Sequence, residues 1–227
     1  MKKLIVWTPG EIEYGMAWDW QKKIHSLRLV SKTSDTLILL EHPHVYTIGR
    51  HGNRENILYD EEMLKKKGVS VYPVDRGGDV TYHGPGQLVG YPIFNYRQLG
   101  FSTRVFVRTV EEVIIQFLKD FGLNPYRDPR YPGVWIGADK ICAVGLRVMH
   151  DVSMHGFALN IKPDLSLFTG IIACGIQGRG VTSLEKENIK IPPNEAVFTR
   201  IIELFMQKFG FDSCQRIWDP SFNPFFS

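Results

Sequence analysis

Apolar positions along the chain follow two rhythms, and the change from one to the other marks the elements. Leu4-Ile5-Val6-Trp7 and Leu37-Ile38-Leu39-Leu40 are short continuous apolar runs, read as strands, the second of the kind covered on both faces. Between them, Met16, Trp20, Ile24 and Leu27 recur at helical spacing within 11–30. The second strand ends in Glu41-His42-Pro43-His44, because proline lacks the donor that a central strand needs. The stretch 45–56, with Gly49, Arg50, His51 and Gly52, reads as a polar loop with the composition of a lid. Asp60 as N-cap and Gly68 as stop bracket a short helix.

Ser102 or Thr103 caps a longer helix, whose stripe Phe106, Val110, Val113, Ile114, Phe117 and Phe121 is core and ends at Gly122. Segments 134–136 and 140–148 flank Gly137-Ala138-Asp139 as a hairpin, and 154–161 is the next strand. A helical turn falls near 166–168. The final helix, 194–209, carries Ile201, Ile202, Phe205 and Phe209 inward and stops at Gly210. The aromatic, proline-rich tail from Trp218 is expected against the body. With no internal repeat, linker or second hydrophobic unit, the chain reads as one mixed α/β domain over residues 1–227.

Into this frame falls one stretch of different character, RGGDVTYHGPGQLVGYPI from Arg76 to Ile93, with five glycines and Pro85 among polar side chains. Glycine lets a backbone approach a ligand closely. The run is therefore either a binding surface or a hairpin rich in turns. Val80 and Tyr82, then Leu88, Val89, Tyr91 and Ile93, read as two short strands joined at His83-Gly84-Pro85-Gly86, which would bring Arg76, His83 and Gln87 to one rim. A phosphate loop is excluded because no Gly-Lys-Ser/Thr follows, and a dinucleotide fingerprint because its spacing is missing.

Composition narrows the class. With 227 residues, 44% hydrophobic and 22% charged, the chain is long enough for a substantial core and is not disordered. A net charge of +3 gives no reason to expect nucleic acid. The apolar run after Met1-Lys2-Lys3 stops at Pro9-Gly10, too short for export, and no segment has the length of a membrane span. Cys142, Cys174 and Cys214 are odd in number and lack C-x-x-C spacing, which points to a reducing, cytoplasmic compartment rather than a disulfide framework or zinc knuckle.

Two features carry candidate chemistry. Ala143 and Gly145 share one strand face, and Gly156 and Ala158 share one face of the next. If these faces adjoin, the sheet carries a trough for a narrow apolar chain; alternatively, the small residues let a helix pack closely. Cys174 sits where an apolar run must turn, either as a structural thiol or as an approachable nucleophile, whereas Cys142 among Ile141, Ala143 and Val144 is core. Lys140 and His83 are the candidate partners for a thiol. Although His42, His44, His51 and His83 are numerous, no carboxylate set accompanies them, and no metal is expected.

Taken together, the glycine-rich run, PGVWIGADKICAVG, MHGFALNI, CGIQGRGVTSL and LEHPHVYTIG resemble, in order and across about 35–185, the lipoyl(octanoyl) transferase family. The resemblance implies the α/β fold of biotin and lipoate protein ligases. It also implies transfer of an octanoyl group from octanoyl-acyl carrier protein to a lysine on lipoyl domains of 2-oxoacid dehydrogenase complexes and on the glycine cleavage H protein. No cofactor, nucleic acid or membrane is involved, and a monomer is expected. Carried over by position, the nucleophile falls on Cys174 and its partner on Lys140. Substrate contacts fall on Arg76, Gly77, Gly78, Asp79, Val80, Thr81, Tyr82 and His83, on Ala143, Val144 and Gly145, and on Gly156, Phe157 and Ala158. The chain departs from the family pattern at Ala173, where proline is common, at Cys142, and at Gln177-Gly178-Arg179. An ATP-dependent lipoate ligase, or a noncatalytic acyl-binding or lipoyl-domain-binding module, are the rival readings. The ligases tend to carry a third glycine where this chain has Asp79.

Overall fold

A computed structural model describes residues 1–172 and 179–218. Its strands are β1 (Lys3–Glu11), β2 (Asp35–Glu41), β3 (Val45–Ile48), β4 (Ser70–Pro73), β5 (Val80–His83), β6 (Gln87–Ile93), β7 (Val134–Ile136), β8 (Asp139–Met149), β9 (Val152–Asn160) and β10 (Ser213–Ile217). Its α-helices are α1 (Tyr14–Leu29), α2 (Glu61–Lys66), α3 (Thr103–Lys119) and α4 (Asn194–Phe209). Among the described residues the strands form a seven-stranded sheet, β10-β1-β2-β6-β9-β8-β7, and a three-stranded sheet, β4-β3-β5. The large sheet is parallel from β10 to β2 and antiparallel from β2 to β7. No helix among the described residues is long and apolar enough to cross a membrane.

The continuous apolar run of β2 explains how the layers stack. Leu37 and Leu39 point to one face, into a core completed by α3 and α4, while Ile38 and Leu40 point to the other, against α1. On the α3/α4 side Phe94, Phe205, Phe209 and Phe211 pack edge-to-face, with ring centroids 5.3–6.0 Å from that of Phe94. On the α1 side, the helix covers part of the sheet, and the three-stranded sheet lies beside it with a core of its own around Tyr46, Val80 and Tyr82.

Local signals for helix ends held. Asp60 accepts from the Met63 N–H at 2.8 Å and Ser102 from that of Val105 at 3.3 Å. Gly210 closes α4 in the left-handed region, φ +67°.

Three expectations are corrected. The stripe assigned to α1 was built from apolar residues alone, but Met16 is 52% exposed; the buried face is Tyr14, Ala17, Gln21, Ile24, His25 and Arg28, most of it polar, with Arg28 held in an ion pair to Asp35 at 2.7 Å. The stretch expected as a polar loop contains β3, the central strand of the small sheet, formed by the β-prone run Val45-Tyr46-Thr47-Ile48. Third, β5 and β6 do not pair as a hairpin: β5 joins β3 and β6 joins β2 and β9, so His83 to Gln87 is a corner where the chain leaves one sheet for the other. Sequence reading also missed β10, which extends the sheet beside β1.

The corner depends on Gly86. Its φ is +81°, and a Cβ there would lie 2.5 Å from the Lys162 carbonyl oxygen, which accepts no displacement because Lys162 N donates back to Gly86 O at 2.9 Å. Gly86→Ala is therefore expected to destabilise the protein by about 2–4 kcal/mol, through strain and overpacking together, read as a lower urea midpoint at unchanged m-value.

Candidate active site

On the α1 side, the antiparallel pair β8–β9 sets Ala143 opposite Ala158 and Gly145 opposite Gly156. Four small residues thus meet on one face, and the face is left bare where neighbouring strands carry full side chains. The segment Arg76 to Thr81 lies across the gap, with Gly77 N donating to Leu146 O at 3.2 Å. The result is a cavity of about 550 Å³ bordered by Lys140, Thr81, Ala143, Gly145, Ala158, His83, Tyr14, Tyr91 and His155. The alternative of a closely packed helix is not what the two glycines serve: a Cβ on Gly145 or Gly156 would meet the carbonyl oxygen of Gly77 or Gly90, neither of which lies on a helix.

Lys140 reaches this cavity through an irregularity. Val134 pairs with Cys142 but Trp135 with Lys140, so Ile141 is an extra residue on β8. Ile141 and Cys142 both enter the α3/α4 core, and strand alternation, which would have sent Lys140 with Cys142, is reset. Lys140 Nζ sits 4.8 Å from the centre of the Trp135 ring. Its backbone is gripped by the chain beyond the gap in description: Lys140 N donates to Gly180 O and Thr182 N to Lys140 O, each at 3.0 Å. Arg179 stacks over Trp135 at 4.6 Å and pairs with Asp128 at 2.7 Å.

A second cavity of about 390 Å³ adjoins the first at Thr81, Lys140, Ala143 and Ala158, and is bordered further by Gln87, Asn160, Ile171, Ile172 and Arg179. Cys174, with Ala173 and Gln177-Gly178, lies outside the described residues, as does the tail beyond Trp218. The residues on either side of that internal stretch, Ile172 and Arg179, border the same cavity as Lys140.

Most of the residues singled out from the sequence meet here, but not all through their side chains. Arg76 is buried and clamps Thr47, donating from Nη2 to its carbonyl and hydroxyl at 2.8 Å and from Nε to the hydroxyl at 3.1 Å. Asp79 accepts from Asn56 Nδ2 at 2.7 and 2.9 Å, so the expected lid segment is pinned to the glycine-rich run, also by Arg50 N to Arg76 O at 3.0 Å. Val144 and Phe157 border the cavity but turn their side chains toward the opposite core, Phe157 stacking on Phe205 at 5.9 Å. Tyr82 turns into the small sheet's core, bonded to His44 at 2.9 Å, and does not border the cavity. The sequence reading passed over Tyr14, Tyr91 and His155. A weak signal existed for Tyr14, which stands seven residues before Gln21 on one helical face.

A hydrogen-bond chain ties the glycine-rich run to the Lys140 strand. His83 Nδ1 donates to Gln87 Oε1 at 2.8 Å, Gln87 Nε2 to Asn160 Oδ1 at 2.9 Å, and Asn160 Nδ2 to Thr182 O at 2.9 Å. Two buried imidazoles, His83 and His42, are held neutral. Burial pushes His83 well below the ordinary range, with His42 adding to it, and burial lowers His42 to about 4, opposed by its bond to the Ile12 carbonyl. His42 is fixed at both nitrogens, Nδ1 to Ile12 O at 2.6 Å and Nε2 to Tyr91 Oη at 2.7 Å. Burial likewise drives the Tyr14 and Tyr91 phenols up. Among the described residues no group of three His, Cys, Asp or Glu is placed to hold a metal ion.

The architecture is that of the lipoate protein ligases. Lipoate-protein ligase A solved with ATP superposes over 97% of this chain and 91% of its own at TM-score 0.73 and 17% identity. A bipartite lipoate protein ligase from Thermoplasma acidophilum matches over 96% and 88% at TM-score 0.73 and 19% identity. A model of the lipoyl protein ligase A/B catalytic domain matches residues 13–206, and the chain belongs to that family. Among its relatives are octanoyltransferases of Caldicellulosiruptor bescii, 54% identical over 78% of both chains, and of Dictyoglomus thermophilum, 46% identical over 94% of this chain and 90% of its own.

The buried imidazoles give the fold a pH dependence. The unfolded chain protonates His42 near pH 6.5, while the folded chain resists until about pH 4. Between those values unfolding takes up a proton, and stability falls as pH falls, by about 3 kcal/mol for this residue. Urea unfolding from pH 7 to 4 is expected to show that slope, reduced by about one proton in His42→Gln.

Proposed function

We propose that this protein is an octanoyltransferase acting as one catalytic unit in protein lipoylation, moving an octanoyl group from an acyl carrier protein to a lysine of a lipoyl domain. The observation that carries the reading is the slot between the sheets, floored by Ala143, Gly145, Gly156 and Ala158 with Lys140 turned into it. Relatives named octanoyltransferase, 42–54% identical over most of the chain, support the choice of acyl group and reaction. Burying an eight-carbon tail at about 0.8 kcal/mol per CH₂ contributes on the order of 5 kcal/mol.

In the proposed reaction the Cys174 thiolate attacks the carrier's thioester carbonyl. A new carbon–sulfur bond forms, the old one breaks, and the departing pantetheine thiolate takes a proton. The acceptor lysine, deprotonated, then attacks the enzyme thioester, leaving an amide and returning the Cys174 thiolate. Lys140 is the proton carrier in both halves, beside the acyl carbonyl. Exchange of one thioester for another is close to neutral and amide formation lies downhill, so neither ATP nor another cofactor enters.

Arg76 acts through backbone: by clamping Thr47 it fixes Gly77 to Thr81 over the slot. His83 anchors the chain of hydrogen bonds that ends at the Lys140 strand. The donor is octanoyl-acyl carrier protein, and the acceptors are the lipoyl domains of 2-oxoacid dehydrogenase complexes and the glycine cleavage H protein. The enzyme works as a monomer in the cytoplasm.

Mixing with octanoyl carrier protein in the absence of ATP is expected to give one octanoyl adduct, mapped by peptide mass spectrometry to Cys174 and discharged by a lipoyl domain. Cys174→Ala is expected to abolish the adduct, and Lys140→Ala to slow turnover by about 10²–10⁴-fold. A strict need for ATP, or full transfer by Cys174→Ala, overturns the mechanism.

A further inference from the structure

The slot ends on polar atoms that have no partner. It crosses the sheet from Lys140 on β8, past Ala158 on β9, to Tyr91 on β6, two strand spacings or about 10 Å. There the first turns of α1 close it. Tyr14 is 2% exposed, its ring lies between His42 at 5.0 Å and His83 at 5.9 Å, and its hydroxyl makes no hydrogen bond among the described residues. His155 is 1% exposed; its Nε2 is bonded to Asp75 Oδ1 at 2.7 Å and its backbone N–H to Gln21 Oε1 at 2.8 Å, while its Nδ1 has no partner. Both residues border the cavity.

We infer that the Tyr14 hydroxyl is a polar stop that selects acyl length by desolvation rather than by collision, and that the site accepts an acyl chain ending in a hydroxyl where it rejects an equally long hydrocarbon. The inference rests on the octanoyl-transfer reading above. Buried polar groups are paired by protein or by solvent, and in the slot solvent serves the Tyr14 hydroxyl. A hydrocarbon chain that reaches it removes that solvent and returns no hydrogen bond. One further buried methylene favours binding roughly fourfold. Stripping one neutral polar atom disfavours it by roughly fivefold to a hundredfold. The loss outweighs the gain, so extension beyond the stop weakens binding even where space remains. A terminal hydroxyl reverses the outcome, because it accepts from the Tyr14 phenol.

Octanoyl, nonanoyl and 8-hydroxyoctanoyl carrier protein separate these cases, since the last two are nearly equal in length and differ by a methyl or hydroxyl at the tip. Their kcat/KM values for transfer to a lipoyl domain are measured on the wild-type protein and on Tyr14→Phe, with folding followed by urea midpoint. The wild type is expected to prefer 8-hydroxyoctanoyl over nonanoyl, and Tyr14→Phe to lower that ratio roughly tenfold, mainly by raising kcat/KM for nonanoyl. A wild-type preference for nonanoyl overturns the inference whatever the variant does, as does a ratio unchanged in a folded Tyr14→Phe. Failure of the wild type to transfer even octanoyl strikes the proposed function instead.

Discussion

Four residues with a methyl group or no side chain at all on one sheet face are the constraint from which the remaining architecture follows. Ala143, Ala158, Gly145 and Gly156 stand opposite one another on β8 and β9, and a bare patch of sheet cannot stay open to water without losing the burial that stabilises its neighbours. The fold covers it with a second sheet rather than a helix. A helix lying there would fill the depression with its own side chains, as α1 does over β2 and β6. The edge-on segment Arg76 to Thr81 instead spans it with backbone, held by the Gly77 contact to Leu146 and the Arg76 clamp on Thr47. The space that remains is a slot, not a packed interface.

Electrostatics around the slot is arranged by exclusion of charge. A protonated imidazole in the wall would draw in water and a counter-ion, and burial prevents this by holding His42 and His83 neutral. The buried guanidinium of Arg76 spends its donors on Thr47 and the adjacent Gly77 carbonyl. Lys140 stands at the other end, on an indole face and next to the second cavity. The slot thus has a floor of small residues, a lysine at one end and neutral polar side chains at the other.

What the sequence made legible was the pattern that depends on near neighbours. Caps at Asp60 and Ser102, the α3 and α4 stripes, the β7–β8 hairpin and the pairing of small residues are all written in spacing of two to four positions. The failures share a cause as well. The buried face of α1 is polar, so apolar counting chose Met16 over Tyr14 and Gln21. The split of β5 and β6 into different sheets depends on the Lys162 backbone lying against Gly86, some seventy-six residues on. The bulge at Ile141 leaves no local signature, because Ile141 and Cys142 are both apolar and either phase of the strand looks acceptable. Of the candidate site, the floor and the glycine-rich run could therefore be read in advance, and the inner wall, supplied by α1 from the far end of the sequence, could not.

The bulge also bears on how one fold serves two chemistries. Chains under 20% identical to this one, among them a ligase solved with ATP, share its architecture over nearly its whole length. Architecture alone therefore does not decide how an acyl group is activated. What the architecture supplies here is a cavity at the foot of β8, with Lys140 turned into it by one inserted residue. Activation is then left to whatever the neighbouring chain brings within reach. Here Ile172 and Arg179, which flank the stretch carrying Cys174, border the same cavity as Lys140, and the Arg179 side is stitched to the Lys140 backbone through Gly180 and Thr182. In the proposed reaction no nucleotide is needed, because the acyl group arrives already activated as a thioester.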